Sequence, residues 1–187
     1  MGKQYGFYIR ADRCVQCHAC ELACGSGRGV EQGLRWRKVI SVWRGEFPDI
    51  SSRSLSFACA HCANPACVDA CPERALSKRR EDGIVVVDPE KCTGCRTCEG
   101  ACPFGVPQYG RDGTMQKCDM CLERINRGRE PLCVETCPGE ALKFGDLDDL
   151  IQESTFRSAF RLVASTDPSV VISGNWTSAE VMKLFES

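Results

Sequence analysis

The pattern of apolar and polar residues predicts several short elements rather than a few long ones. Positions 5–10 hold mainly aromatic and aliphatic residues, which predict a strand near the N-terminus. The apolar residues between Trp36 and Trp43 alternate well enough with polar ones to predict a second strand, and we expect them to pack in the core. Positions 84–87 hold one isoleucine and three valines between an Asp-Gly and an Asp-Pro pair, which predicts a strand after a turn.

Two segments that follow Cys-Pro pairs extend this pattern. Residues 71–76 predict a short helix, and residues 140–144 predict a matching helix and a closing strand. Residues 126–131 contain arginine, glycine and proline, which indicates an exposed basic loop. We therefore expect a strand and helix unit that occurs more than once in the chain.

The region beyond Gly145 contains no cysteine and has a different pattern. The apolar residues of 147–163, which include Phe156 and Phe160, have mixed helical periodicity. Positions 170–172 predict a short extended segment, and positions 178–185 predict a final capped helix. This tail is too small for a separate domain, so we expect it to wrap the body of the protein or to reach a partner.

Composition identifies cysteine as the unusual residue of this chain. It accounts for 16 of 187 residues, about 9 %, a share at which cysteine forms a framework. The 24 basic and 25 acidic residues nearly balance, so nothing indicates a nucleic-acid partner. No stretch approaches the ~18 apolar residues of a membrane helix. The first ten residues contain no apolar signal segment, so we expect neither a membrane span nor an export signal of the chain's own.

Every cysteine belongs to one of four quartets. The first and third have the spacing Cys-x2-Cys-x2-Cys-x3-Cys, and the second and fourth have a longer middle interval. A proline follows the last cysteine of three quartets. The quartets are Cys14, Cys17, Cys20 and Cys24; Cys59, Cys62, Cys67 and Cys71; Cys92, Cys95, Cys98 and Cys102; and Cys118, Cys121, Cys133 and Cys137.

Spacing favours iron–sulfur clusters over the two other uses of so many cysteines. Cysteines three residues apart rarely reach good disulfide geometry with each other. Structural zinc normally joins two Cys-x-x-Cys knuckles across a long loop. Three cysteines within seven residues instead suit one face of a cuboidal cluster, because each thiolate can bind a different iron. We therefore predict four [4Fe–4S] clusters, with a zinc-stapled structural protein as the alternative.

Two histidine-containing motifs suggest other cofactors only when read alone. Cys14 to His18 matches the Cys-x-x-Cys-His of c-type haem attachment, but that use would leave Cys20 and Cys24 without a role. A Rieske site needs two histidine ligands on one iron, and beside His61 the second Cys-x-x-His is absent. We expect both histidines to donate hydrogen bonds near a cluster or simply to pack.

Four clusters would also change the charge of the protein. Each oxidised cluster with four thiolates carries about −2, so the total falls from −1 to about −9. Buried negative charge of this size needs hydrogen-bond donors and cations close by. The candidates near the motifs are Arg74, Lys78, Arg79, Arg80, Lys117, Arg124, Arg127 and Arg129.

The order of the motifs favours a nested pairing. In two-cluster bacterial ferredoxins each motif supplies three ligands to one cluster and its fourth cysteine to the other. Four motifs can pair in three ways. The middle motifs are joined by the predicted helix and strand. The first strand precedes the first motif and the closing strand follows the last motif, and these two strands must meet to close a sheet. The predicted sets are Cys14, Cys17, Cys20 with Cys137; Cys118, Cys121, Cys133 with Cys24; Cys59, Cys62, Cys67 with Cys102; and Cys92, Cys95, Cys98 with Cys71.

The predicted fold is α+β, with two bacterial-ferredoxin-like units of βαβ type and an irregular C-terminal tail. The inner unit is inserted in the split outer one. Residues 1–58 hold the first half of the outer unit with an insertion, and residues 59–110 hold the inner unit. Residues 111–146 complete the outer unit, and residues 147–187 form the tail that packs on the body or on a partner.

Six segments carry a resemblance to a known family: residues 5–7, 20–24, 61–67, 78–88, 102–109 and 117–121. In this order they resemble the iron–sulfur electron-transfer (beta) subunit of the dimethyl-sulfoxide-reductase family of molybdopterin oxidoreductases. The similarity covers about residues 3–146, and the order of its motifs is specific. It implies the same crossing of ligands between motifs.

The resemblance implies an electron relay rather than an enzyme. In that family a larger subunit binds molybdopterin and a membrane anchor often exchanges electrons with quinol, so both partners are expected on separate chains. The sequence agrees, because it contains no paired acid and base, no Ser/His/Asp group and no nucleotide loop, and we predict no catalytic residue. We expect membrane association only through such a complex. The runner-up is a similar subunit of a soluble formate dehydrogenase or hydrogenase.

Overall fold

A four-stranded sheet joins the two ends of the chain in the computed structural model, which describes residues 2–154, 159–162 and 164–186. Its strand order is β8-β1-β10-β9. The strands are β1 (Tyr5–Arg10), β8 (Leu142–Asp146), β9 (Ala159–Arg161) and β10 (Val170–Ser173). Because β1 lies between β8 and β10, the N-terminal segment forms the centre of the sheet.

The first and closing strands meet, as the sequence predicts. β1 and β8 are antiparallel, with Phe7 opposite Phe144. The ring of Phe144 also lies 4.8 Å from that of Tyr5, centroid to centroid. The helix predicted before the closing strand does not form, because residues 138–141 make a turn with Glu140 at positive φ.

Three hairpins carry the remaining strands. They are β2 (Arg37–Arg44) with β3 (Ser51–Ala58), β4 (Leu76–Lys78) with β5 (Val85–Val87), and β6 (Gln108–Tyr109) with β7 (Met115–Gln116). The predictions of β2 and β5 are confirmed. Trp43 contradicts the predicted core packing of β2, because it lies next to the turn of the hairpin and its surface is 64 % exposed.

The helices are short, and most of them lie within or next to a cysteine motif. They are α1 (Ala19–Gly27), α2 (Ala66–Asp69), α3 (Thr97–Ala101), α4 (Leu122–Asn126), α5 (Leu132–Glu135), α6 (Leu147–Ser154) and α7 (Ser178–Lys183). The helix predicted over residues 71–76 is wrong. Pro72 removes a backbone donor and Arg74 has positive φ, so this segment turns directly into β4. Residues 127–130 are exposed, which confirms most of the predicted loop. No helix of the described residues is long and apolar enough to span a bilayer.

The C-terminal region is more regular than the sequence predicts. The helical prediction holds for α6 but fails for residues 159–161, which form β9, while Phe156 and Val163 lie outside the described residues. β10 pairs in parallel with β1, so its β-branched side chains are buried inside the main sheet. The predicted capped helix is α7, which begins after a capping box formed by Thr177 and Glu180. The tail therefore packs on the body as a structural part of its sheet.

Replacing Ile172 by alanine tests this role of the tail. The side chain of Ile172 is fully buried in the cluster that contains Phe7 and Leu55. We expect the Ile172→Ala variant to lose about 2–5 kcal/mol of unfolding free energy, because it leaves a cavity in the core. Denaturant unfolding of the cluster-loaded protein measures it. The Ile50→Ala variant is the control, since Ile50 is 51 % exposed and should change stability by less than about 0.5 kcal/mol.

Candidate metal centre

Four cysteines from the two ends of the body line one cavity. Cys14, Cys17 and Cys20 follow β1 and enter α1, and Cys137 precedes β8. The antiparallel pairing of β1 with β8 places these two segments side by side. The cavity between them contains about 330 Å³ of space between atoms. We call these four residues the first group.

A similar cavity lies in the middle of the chain. It is lined by Cys92, Cys95, Cys98 and Cys71 and contains about 290 Å³ of space between atoms. Cys71 comes from the other motif, so a fourth cysteine crosses between motifs here as in the first group. We call these residues the fourth group. The matching cysteine sets of the two cavities indicate the same kind of occupant.

The other eight cysteines, none of which is exposed, form two further sets. Burial raises the pKa of Cys24 to about 12, with smaller contributions from Cys133 and Cys121 nearby. Burial likewise raises the pKa of Cys67 to about 12, with further contributions from Cys59 and Cys102. The second group is Cys24, Cys118, Cys121 and Cys133, and the third group is Cys59, Cys62, Cys67 and Cys102.

The four groups follow one another in space. Cys20 of the first group lies near Cys133 of the second, and Cys118 of the second lies near Cys59 of the third. Cys67 of the third group packs against the apolar cluster that contains Cys98 of the fourth. Each group is thus a neighbour of the next in the order first, second, third, fourth, and we call this series the cysteine line.

The line ends at the surface on both sides. All 16 cysteines lie in the described residues, and the exposed ones among them are Cys17 and Cys95. Cys17 belongs to the first group and Cys95 to the fourth. Hydrogen bonds from Thr97 lower the pKa of the Cys95 thiol. The two exposed cysteines therefore belong to the first and the last group of this series.

All four motifs use the same loop conformation, which is strained in the three motifs where the residue that adopts it is not glycine. The residue before the second cysteine has positive φ in each, at Gln16 (58°), His61 (42°), Gly94 (70°) and Met120 (56°). This conformation costs an ordinary L-residue about 1–2 kcal/mol. Such loops turn successive backbone N–H groups toward one side and form concave sites for anions and iron–sulfur clusters. The strain at Gln16, His61 and Met120 indicates that these loops are shaped for a bound group.

Hydrogen bonds to sulfur also repeat between motifs. The N–H of Ala75 donates to Cys71 Sγ at 3.3 Å, and the N–H of Ala141 donates to Cys137 Sγ at 3.2 Å. Each donor lies four residues after the last cysteine of its quartet. The hydroxyl of Tyr109 lies 3.3 Å from Cys98 Sγ. Donors of this kind stabilise thiolates and raise the reduction potential of a bound cluster.

Few of the basic residues near the motifs are buried beside them. Lys117 is 4 % exposed and donates to the carbonyl of Cys118 at 3.0 Å. Lys78 donates to the carbonyl of Cys62 at 3.0 Å, and its burial lowers its pKa. The other candidates face solvent or pair with nearby carboxylates: Arg74, Arg79, Arg80, Arg124, Arg127 and Arg129. Arg37 is also buried but was not among the predicted residues, because it lies far from every cysteine motif in the sequence and no spacing pattern marks it.

The two histidines have different environments. His18 is partly exposed, and its Nδ1 lies 3.2 Å from a carboxylate oxygen of Glu21. His61 is fully buried, and its Nδ1 accepts a hydrogen bond from the N–H of Val85 at 3.0 Å. Burial and then the positive charge of Lys117 hold the pKa of His61 well below its usual value. His61 is therefore neutral with its proton on Nε2, which makes it a donor rather than a metal ligand.

The residues fit iron–sulfur clusters better than zinc. Among the described residues no three side chains of Cys, His, Asp or Glu converge on one point as ligands of a single ion would. Six buried donors also lack partners within the described part of the chain, and His61 Nε2, Arg37 Nη2 and Trp36 Nε1 are three of them. Sulfide and thiolate sulfur of a cluster would provide acceptors for such donors.

Two protein-family models match the chain. The one described as "4Fe-4S dicluster domain" matches residues 51–147, more than half of the chain. The one described as "4Fe-4S binding domain" matches residues 11–27. The first covers three of the four quartets, and the second covers the remaining one.

Curated relatives match nearly the whole length. The B subunit of the anaerobic dimethyl sulfoxide reductase of Escherichia coli (strain K12) is 40 % identical over 94 % of this chain and 91 % of the relative. The corresponding B subunit of Haemophilus influenzae is 36 % identical over 92 % and 90 %. Protein NrfC of Escherichia coli (strain K12) is 37 % identical over 90 % and 80 %. The chain binds [4Fe–4S] clusters, and it belongs to the family of iron–sulfur electron-transfer subunits that includes the B subunits of the anaerobic dimethyl sulfoxide reductases.

Proposed function

We propose that this chain relays single electrons through four [4Fe–4S] clusters between two protein partners. One observation carries the proposal: four groups of four cysteines follow one another from exposed Cys17 to exposed Cys95. When bound, the clusters supply one-electron redox chemistry. The chain's residues hold the clusters in this order, bury the cysteines of the second group and donate hydrogen bonds to the sulfur atoms of cysteine ligands. It has no catalytic role of its own in this proposal.

The proposed ligand sets are the four groups defined above, which equal the nested sets predicted from the sequence. Cys137 lining the cavity of the first motif and Cys71 lining the cavity of the third support this crossing. The same crossing supports an inner unit of residues 59–110 inserted in an outer unit made of residues 1–58 and 111–146. Residues 147–187 complete the outer sheet through β10.

The proposed partners are a molybdopterin-containing catalytic subunit and a membrane anchor linked to quinol. The support is the resemblance to relatives named as components of dimethyl sulfoxide reductase, over nearly their full length. Two surface-exposed ends of the cysteine line suit two partners, one at each end. Association with the membrane then occurs through the anchor. The alternative is that the partner enzyme is a soluble formate dehydrogenase or hydrogenase. Identifying the protein that co-purifies with this chain would distinguish the two.

Iron and sulfide analysis tests the number of clusters. We expect about 16 iron and 16 acid-labile sulfide per chain after anaerobic purification, because four quartets each bind one cubane cluster. Visible absorption should bleach with dithionite. Stoichiometric zinc would instead establish the alternative of a zinc-stapled structural protein. Half the expected iron, at full occupancy of the sites that bind it, would reduce the relay to two clusters.

A further inference from the structure

Arg37 is a cation buried without a carboxylate partner. It begins β2 and is 2 % exposed. Arg37 forms no salt bridge with Asp or Glu in the described part of the chain, although most other buried or half-buried arginines do. An isolated buried charge is unfavourable unless an opposite charge compensates it. The fold must therefore place negative charge elsewhere around this guanidinium.

The cluster-binding side chains nearest to Arg37 are cysteines of two different groups, which become negatively charged thiolates when they bind a cluster. Burial lowers the pKa of Arg37, but the neighbouring cysteines Cys133, Cys118, Cys20 and Cys24 raise it further, so the net shift is upward. The strand pairing agrees, because Arg37 lies opposite Ala58, which packs in one apolar cluster with Cys118. Cys20 belongs to the first group and the other three to the second. The guanidinium thus lies at the junction of two neighbouring cluster sites.

Hydrogen bonds connect Arg37 to one of these sulfur atoms through Ser56. Arg37 Nη1 donates to the carbonyl of Ser56 at 3.2 Å and lies 3.3 Å from its Oγ. Ser56 Oγ lies 3.3 Å from Cys20 Sγ, and Ser56 lines the cavity of the first group. Because Oγ accepts from Arg37, its own hydrogen is free to point at the sulfur. Ser56 thereby extends the positive electrostatic field of Arg37 to the sulfur of Cys20.

The rest of the guanidinium is shielded from water. Its central carbon lies 4.5 Å from the centroid of the Phe7 ring, so an aromatic face lies against it. Nη2 is buried and has no partner among the described residues. This remaining donor requires an acceptor, and cluster sulfur at the junction would provide one.

We propose that Arg37 is the buried countercation shared by the clusters of the first and second groups, and that it raises both of their reduction potentials. The inference rests on the proposed function, since it requires clusters at both sites. A reduced cluster carries one more negative charge than an oxidised one, so a fixed cation in a low-dielectric interior stabilises the reduced form more. Ser56 adds a separate contribution to the first group alone.

Redox titration followed by electron paramagnetic resonance tests the proposal on the full cluster-loaded complex. The Arg37→Gln variant should lower two of four midpoint potentials, each by at least a tenfold change in the redox equilibrium constant, or 59 mV for one electron. The Arg37→Lys variant keeps the charge and should restore most of each shift. The Ser56→Ala variant should lower one potential only. The Arg44→Gln variant, at the exposed end of the same strand, is the charge-matched control and should change none.

The outcomes separate this inference from the proposed function. Iron content far below 16 per wild-type chain contradicts the proposed function itself. Full iron with four unshifted potentials in Arg37→Gln, or an equal shift of all four, contradicts only the role of Arg37. If Arg37→Gln does not fold, Arg37→Met, which keeps an unbranched apolar stem, takes its place with the same expected shifts. If neither folds, Ser56→Ala takes their place, because it removes the hydroxyl that links Arg37 to Cys20. Four unshifted potentials in Ser56→Ala then contradict the link to the first group, without which Arg37 cannot be shared between two clusters.

Discussion

Replacing Cys62 and Cys67 together by serine will stop electron transfer through the assembled complex while the partner's active site still works with artificial dyes. Both residues belong to the third group, which lies inside the line rather than at an end. Electron tunnelling falls off exponentially with distance, so removing an inner cluster opens a gap that the remaining clusters cannot bridge. The measurements are quinol-driven and reduced-dye-driven substrate turnover of the same purified complex.

The control for this experiment is Ser77→Ala, an exposed position on β4 in the same part of the chain. It should leave both activities unchanged. Quinol-driven turnover at the wild-type rate in a double variant that has lost four iron atoms would contradict the relay. So would substrate turnover by the isolated chain, because the proposed role assigns it no catalytic site.

Removing the iron from the isolated chain will unfold most of it. The helices at the cysteine motifs α2, α3, α4 and α5 have four or five residues each. Isolated helices shorter than about 12–15 residues are marginal in water, so these segments depend on their attachment to the clusters. Burial also raises the pKa of Cys62 to about 11, so cluster loading has to displace protons from thiols that are otherwise neutral.

Far-UV circular dichroism and thiol labelling measure this effect. After anaerobic oxidation and chelation we expect loss of the native spectrum and rapid labelling of all 16 cysteines. Protein treated with the chelator alone is the control, and it should keep both its iron and its spectrum. A native spectrum with slow labelling in the iron-free chain would show that packing is sufficient without the clusters.

Local patterns in the sequence were sufficient to predict several of the secondary-structure elements. β1 and β10 are runs rich in aromatic and β-branched residues, so each could be recognised without knowing its neighbours. β3 was missed because four of its eight residues are serine, and its strand character depends on pairing with β2. The helix expected over 71–76 failed for a local reason, since Pro72 and the positive φ of Arg74 make a turn.

The kind of cofactor could be inferred from local spacing, because three cysteines within seven residues can wrap a cluster with few contacts from elsewhere in the chain. The meeting of the first and closing strands was also predictable, and β1 and β8 confirm it. The place of β10 beside β1 and the burial of Arg37 between two cysteine groups emerged only in three dimensions. These features join residues more than a hundred positions apart or residues without any motif, and such contacts depend on packing and burial rather than on local spacing.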